Sequence, residues 1–150
     1  MRPKVRATIF DDKWHVLLCR VPNHYGVIWE IPGGGIDPGE TSEVALAREI
    51  WEETGIRSFN ILGKTLHPTH EIWDDDMKAS VRGTFDGQAI IEYVVQLSSS
   101  NPKLTPGVSG EVAELMWIDP LKAKNFLIYR DQYEIFVRIC VEVLGSVPII

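Results

Sequence analysis

The chain lacks any apolar run near the ~20 residues that a bilayer-spanning helix needs, which excludes a helical membrane protein among its 150 residues. The basic start, Met1-Arg2-Pro3-Lys4-Val5-Arg6, is not followed by an apolar signal segment, so cytoplasmic residence is expected. Cysteine is scarce. Cys19 and Cys140 each sit inside an apolar periodic segment and neither belongs to a metal-ligand spacing. Two buried free thiols are expected rather than a disulfide. Positive charge is also in short supply, with 15 Lys and Arg against 21 Asp and Glu and a net charge of −6. Without clustered cations the chain is not a general binder of duplex nucleic acid, although a small phosphorylated ligand held through a local cation remains open. Internal repeats and low-complexity segments are absent.

What remains is the composition of one folded domain over residues 1–150, with 45% hydrophobic residues. Strand-like and helix-like patches alternate, which predicts an α/β (α+β) fold with a mixed sheet flanked by helices. Strands are expected at Val5 to Phe10, His15 to Arg20, Val27 to Ile31, Phe59 to Gly63, Thr65 to Ile72, Ala89 to Leu97 and Val112 to Ile118, with Pro22 to Gly26 as a loop. Thr41 or Ser42 caps a helix that runs to Thr54 and stops at Gly55. Asp119-Pro120 fits the start of another helical segment. A last helix repeats Tyr133, Phe136, Val137, Cys140, Val141 and Leu144 at helical spacing.

The segment from Gly34 to Ile56 carries the chemistry. At about 100° per residue, with Glu49 at zero, Glu53 falls near +40° and Glu52 near −60°, so three carboxylates share one face. Val44, Ala47 and Trp51 fall near the opposite side and are expected to be the buried face. Ala45 leaves room between the carboxylates. Such like charges repel at offsets of three and four, with only Arg48 nearby. Two readings stand at this point: a solvated acidic face, or a site for a hard divalent cation such as Mg²⁺ or Mn²⁺. The run Gly33-Gly34-Gly35 just before the helix favours the second. It lets backbone approach a ligand and offers carbonyl oxygens to a metal.

The residues Gly34, Glu40, Arg48-Glu49, Ile50, Glu52-Glu53, Gly55 and Ile56 keep the spacing of the Nudix box without departure. Seven such identities arise by chance in roughly one window in 10⁸, so the segment resembles the Nudix hydrolases specifically. Trp29-Glu30-Ile31-Pro32 and the strand carrying Trp117 are similar to the family's surroundings of the box. The resemblance implies a Nudix fold and a Mg²⁺- or Mn²⁺-dependent cleavage of a diphosphate linkage by activated water. It implies Glu49, Glu52 and Glu53 as metal ligands, with Glu49 or Glu53 also orienting water, and the Gly34 carbonyl as a further ligand. Arg48 is implied to hold a catalytic carboxylate, and Glu40 to fix loop and helix. A later carboxylate often joins such sites; Glu111 is the first candidate and Glu114 the second. Arg20 is a candidate for substrate phosphate, with a surface salt bridge as its alternative, and Gly33 and Gly35 are candidates for substrate contact.

The stretch from Phe85 to Val95 is similar to dinucleoside polyphosphate and RNA 5′-pyrophosphate hydrolases of the family, and Ile36 to Glu40 also fits that branch. The substrate is therefore expected to be a small nucleotide-like molecule, a nucleoside triphosphate or dinucleoside polyphosphate. Nucleotide sugars, ADP-ribose and a non-catalytic nucleotide-binding regulatory module are the alternatives, and a homodimer is compatible with all of them. His67 and His70 lack the further ligands a zinc site needs, and Asp74 to Asp76 are expected to be a solvated loop rather than a second metal site. Trp73 and Tyr93 are expected to pack in the core or at a rim rather than to stack on a base.

Overall fold

The first strand, β1 (Arg2–Phe10), sets the layout because its two faces differ in chemistry. Side chains alternate across a strand. Val5, Ala7 and Ile9 face one core, while Arg2, Lys4 and Arg6 share the other face with Thr8 and Phe10. The computed structural model describes residues 1–23, 26–75, 78, 85–99, 102–106 and 112–150.

Among the described residues eight strands form one mixed sheet. β2 spans Val16–Asn23, β3 Gly26–Glu30, β4 Gly33–Gly35, β5 Asn60–Lys64, β6 Thr69–Ile72, β7 Gly87–Gln96 and β8 Glu114–Ile118. β1 and β7 run parallel along the full length of β1. On its other side β1 meets β4 at Lys4 to Arg6 and β2 only at Phe10. The three-glycine strand thus occupies the gap where β2 leaves β1. β3 and β8 extend β2, and β5 and β6 both pair with β7.

Helices cover both faces, as the expected mixed α/β layout requires. α1 (Ser42–Thr54) begins at Thr41, whose side chain accepts from the Val44 N–H, and ends at Gly55 in the left-handed conformation. It packs Ala45, Leu46 and Ile50 on Val5, Ala7 and Ile9. α2 (Gln132–Leu144) packs Phe136, Ile139 and Cys140 on Phe10, Leu18 and Val94 of the opposite face. Both cysteines are buried free thiols, and burial raises both thiol pKa values, that of Cys140 to about 12.

Several expectations need correction. The buried face of α1 is not Val44, Ala47 and Trp51: Val44 and Ala47 are exposed, and half-buried Trp51 lies 3.8 Å under the Arg57 guanidinium. The buried residues are Ala45, Leu46, Ile50, Glu53 and Thr54. The helix turns its carboxylate edge toward the sheet because the facing strand is glycine. In α2, Val141 is exposed and Ile139 takes its expected place in the core. Pro22 and Asn23 belong to β2 rather than to a loop, and β6 starts at Thr69. Asp119 does cap a helix with proline at its start, but that helix is a 3₁₀ segment, Pro120–Asn125.

One buried charge gave no sequence signal beyond its place in an apolar strand. Glu92 is fully buried on β7, directly opposite Arg6 on β1. Arg6 donates from Nε to Glu92 Oε1 at 2.7 Å and from Nη2 to Oε2. The Thr69 hydroxyl donates to Glu92 Oε2 at 2.7 Å and accepts from Arg138 of α2 at 2.7 Å. Glu92→Ala removes one partner and leaves Arg6 unpaired, which is expected to cost about 3–5 kcal/mol. Urea denaturation measures this, and a loss below ~1 kcal/mol would show that the network contributes little.

Candidate active site

The site is built from α1 and β4. Strand β4 presents no side chains, so the helix comes close. A Cβ on Gly34 would collide with the Glu49 carboxylate, one on Gly33 with the Val5 carbonyl, and one on Gly35 would lie 2.7 Å from an Arg2 guanidinium nitrogen. Gly34 thus makes room for an acid on one side of the strand, and Gly35 makes room for a base on the other. The Gly33 N–H donates to Glu53 Oε2 at 3.2 Å.

Arg48 organises the carboxylates. Its Nε and Nη2 donate to the two Glu40 oxygens at 2.7 and 2.8 Å, and Nη2 also reaches the Gly35 carbonyl at 2.9 Å. Its Nη1 donates to Glu49 Oε1 at 2.8 Å and Glu52 Oε2 at 3.2 Å. One guanidinium therefore ties the loop to the helix and holds two acids of the cluster. Glu40, bonded first to Arg48 and then to the Asp37 N–H, has its carboxyl pKa pulled down to about 2. The pKa of Arg48 is raised in turn, chiefly by Glu40.

Glu53 behaves oppositely. It is only 6% exposed. Burial first, then Glu49 and Glu30, raises its pKa to about 8, while Lys4 and the Gly33 N–H act against that shift. A carboxyl crowded by two other acids and shut from water is a group that a divalent cation would relieve. Glu52, with its side chain 35% exposed, and Glu49 stand beside it as further oxygen donors. Among the described residues no three acidic, histidine or cysteine side chains stand close enough together, as placed, to hold a metal ion by themselves. An open donor set of oxygen type suits Mg²⁺, which keeps waters and shares its ligands with substrate phosphates.

These residues line one cleft of about 530 Å³, which brings together Gly33, Gly34, Gly35, Arg48, Glu49, Glu52 and Glu53. Arg20 does not line it; its Nε lies 3.4 Å from Glu114 on the neighbouring strand, the salt-bridge alternative. Glu114 is engaged there as well. Glu111 lies outside the described residues. His67, His70, Asp74 and Asp75 are exposed, and Asp76 lies outside the described residues. Trp73 is buried, and Tyr93 is a core residue bonded through its hydroxyl to Ser42 Oγ at 2.7 Å. Sequence reasoning passed over Arg2, Lys4 and Glu30, which also line the cleft. The signal for the two cations was Arg-x-Lys-x-Arg at strand period in a segment whose alternate positions are apolar.

The NUDIX domain model matches residues 1–138. The chain is 29% identical over 127 residues to an RNA pyrophosphohydrolase of Gluconobacter oxydans, covering 83% of this chain and 75% of the relative. It is 32% identical over 107 residues to the nucleoside triphosphatase NudI of Escherichia fergusonii, covering 69% of this chain and 72% of the relative. In fold it resembles the E. coli dihydroneopterin triphosphate pyrophosphohydrolase, with a TM-score of 0.73, 13% identity and 96% of each chain covered.

The raised Glu53 carboxyl makes stability depend on pH. Between the ordinary carboxyl range and about 8, the unfolded chain has lost a proton that folded Glu53 keeps. Stability of the metal-free protein therefore falls as pH rises through that window, by an amount on the order of a few kcal/mol. Urea denaturation in chelator should show this fall, and Glu53→Gln should flatten it. An equal slope in the variant would reject Glu53 as its source. Gly34→Ala, which drives a Cβ into the Glu49 carboxylate, is expected to weaken Mn²⁺ binding at least about tenfold, measured by the paramagnetic resonance of free Mn²⁺.

Proposed function

The chain belongs to the NUDIX family and is a Nudix hydrolase, and on that premise we propose that it cleaves a diphosphate linkage in a nucleoside polyphosphate with Mg²⁺ or Mn²⁺. The observation that carries this reading is the single cleft in which Arg48 holds Glu49 and Glu52 while Glu53 lies buried beside them. Glu49, Glu52, Glu53 and the Gly34 carbonyl would hold the metal. When bound, a divalent ion supplies charge neutralisation at the phosphoryl oxygens and lowers the pKa of water.

The chain's own residues do the rest. Arg48 fixes two carboxylates by charge-assisted bonds, so little reorganisation is needed when substrate arrives. Glu40 locks Arg48 and the loop backbone together. Burial of Glu53 holds its proton more tightly than in water, so a metal binding there must displace that proton and its affinity rises with pH. Glu49 or Glu53 orients the attacking water, with Glu111 as a further base. A nucleoside triphosphate or dinucleoside polyphosphate is the substrate this reading favours, in line with the names of the relatives in sequence.

Glu53→Gln is expected to lower hydrolysis by ~10³-fold or more while the fold survives. Steady-state rates on nucleoside triphosphates, dinucleoside polyphosphates, ADP-ribose and triphosphorylated RNA, with products identified by mass, measure this. Near-wild-type turnover would remove Glu53 from the site. EDTA should abolish activity and Mg²⁺ or Mn²⁺ restore it; full activity in a metal-stripped sample would reject the metal-dependent mechanism.

A further inference from the structure

Arg2 and Lys4 are cations that the fold leaves without a close partner. Among the described residues neither side chain makes a hydrogen bond or a close ion pair, whereas Arg6, next in the same row, is neutralised by Glu92. Both are only part-exposed. They stand on one face of β1, where every second residue points the same way and the row from Arg2 to Arg6 covers about 13 Å.

Their position is informative. A second cavity of about 380 Å³ adjoins the carboxylate cleft, and Arg2, Lys4 and Glu30 belong to the walls of both. Away from that junction the second cavity mixes apolar and aromatic groups, Ile72, Trp73, Tyr129 and Ile135, with polar and charged ones that include Gln88, Glu71, Arg130 and Asp131. Aromatic and aliphatic surface rimmed by hydrogen-bonding groups suits a nucleoside, and the volume is that of a small-molecule site. The Arg2 guanidinium lies over Gly35, where a side chain would displace it. Two unpaired positive charges between a metal-type carboxylate cleft and an aromatic cavity form a receptor for an anion that spans both.

We propose that Arg2 and Lys4 bind the phosphate chain of the substrate as it passes from the cleft into the second cavity, and that this cavity holds the nucleoside. The inference rests on the hydrolase reading of the cleft and deepens it. The linkage being cut occupies the cleft, and the two cations hold a further phosphate. They therefore favour nucleotides with three or more phosphates over diphosphate compounds such as ADP-ribose.

The test uses Arg2→Gln, Lys4→Gln and Lys4→Arg, with fold checked by urea denaturation. Each glutamine variant should raise KM for ATP or GTP about tenfold, the effect of one charge-assisted bond, and change kcat less than about threefold. Lys4→Arg should retain most of the affinity. Inorganic tripolyphosphate should inhibit the wild type and lose about as much potency in the same variants, whereas Mn²⁺ binding without nucleotide should stay unchanged in Arg2→Gln. Ile72→Trp, which narrows the second cavity, should raise KM for nucleotides but leave tripolyphosphate inhibition intact. Unchanged KM in both glutamine variants, or a fall in kcat alone, would overturn the assignment of Arg2 and Lys4; an unchanged KM in Ile72→Trp would overturn the nucleoside placement. Were the wild type to hydrolyse nothing, the hydrolase reading would fail by itself. Equilibrium binding of methylene-bridged ATP with Mg²⁺ would then still decide whether Arg2 and Lys4 hold phosphate.

Discussion

The close approach of α1 to β4 is the constraint on which the rest of the site depends. A helix normally buries its apolar stripe and leaves its acids in water. Here the facing strand has no side chains, and the space that a Cβ on Gly34 would fill is occupied by the Glu49 carboxylate. The helix can therefore bury the edge that carries Glu49 and Glu53 alongside Ala45, Leu46 and Ile50. A side chain on Gly34 would push the helix away or turn its acids outward. The position of β4 is itself a consequence of the sheet, because β2 leaves β1 after one paired residue and opens the edge at Lys4 to Arg6.

Burying acids in this way requires charge to be distributed unevenly, and the structure does so with one guanidinium. Arg48 engages Glu40, Glu49 and Glu52 but is shared among them, and Glu53 is held by a backbone N–H instead. The result is two carboxyls of opposite behaviour on one loop and helix: Glu40 with its pKa pulled to about 2 and Glu53 pushed to about 8. Glu40 is a permanent anion whose work is structural. Glu53 is an acid whose ionisation waits for an incoming cation. Lys4 lies near enough to act on it but makes no ion pair with it among the described residues.

Much of this was legible before the fold was known, because the determinants are local. Thr41 and Gly55 fix the ends of α1 through backbone capping that depends on adjacent residues only, and the carboxylate face follows from helical spacing. The buried face of the same helix was not legible. Hydropathy pointed to Val44 and Trp51, but burial was decided by what the helix packs against, and a glycine strand attracts the small and the charged side of the helix. For Arg20 the family resemblance offered a phosphate contact and a surface salt bridge alike, and the salt-bridge partner, Glu114, comes from a strand almost a hundred residues away. Glu92 is hidden for the same reason: only the parallel pairing of β1 and β7 puts it beside Arg6.

Cations and acids meet at the edge of the cleft, where Arg2 and Lys4 line it together with Glu49, Glu52 and Glu53. Glu49 lies on the side of β4 that faces α1, whereas Arg2 lies on the side that Gly35 opens toward the second cavity. Lys4 and Arg6 share the face of Arg2 by strand alternation. β4 thus keeps Arg2 apart from Glu49, while Lys4 stays close enough to Glu53 to oppose part of the rise in its pKa. Arg6, deeper in the row, is neutralised by Glu92 and anchored through Thr69 to α2, which makes it part of the frame. Arg2 and Lys4, nearer the open end of the strand, have no such anchor. Positive charge along β1 is consequently committed to structure where the sheet is covered and left available where the two cavities meet, so the same alternation that forms the core also fixes where an anion can bind.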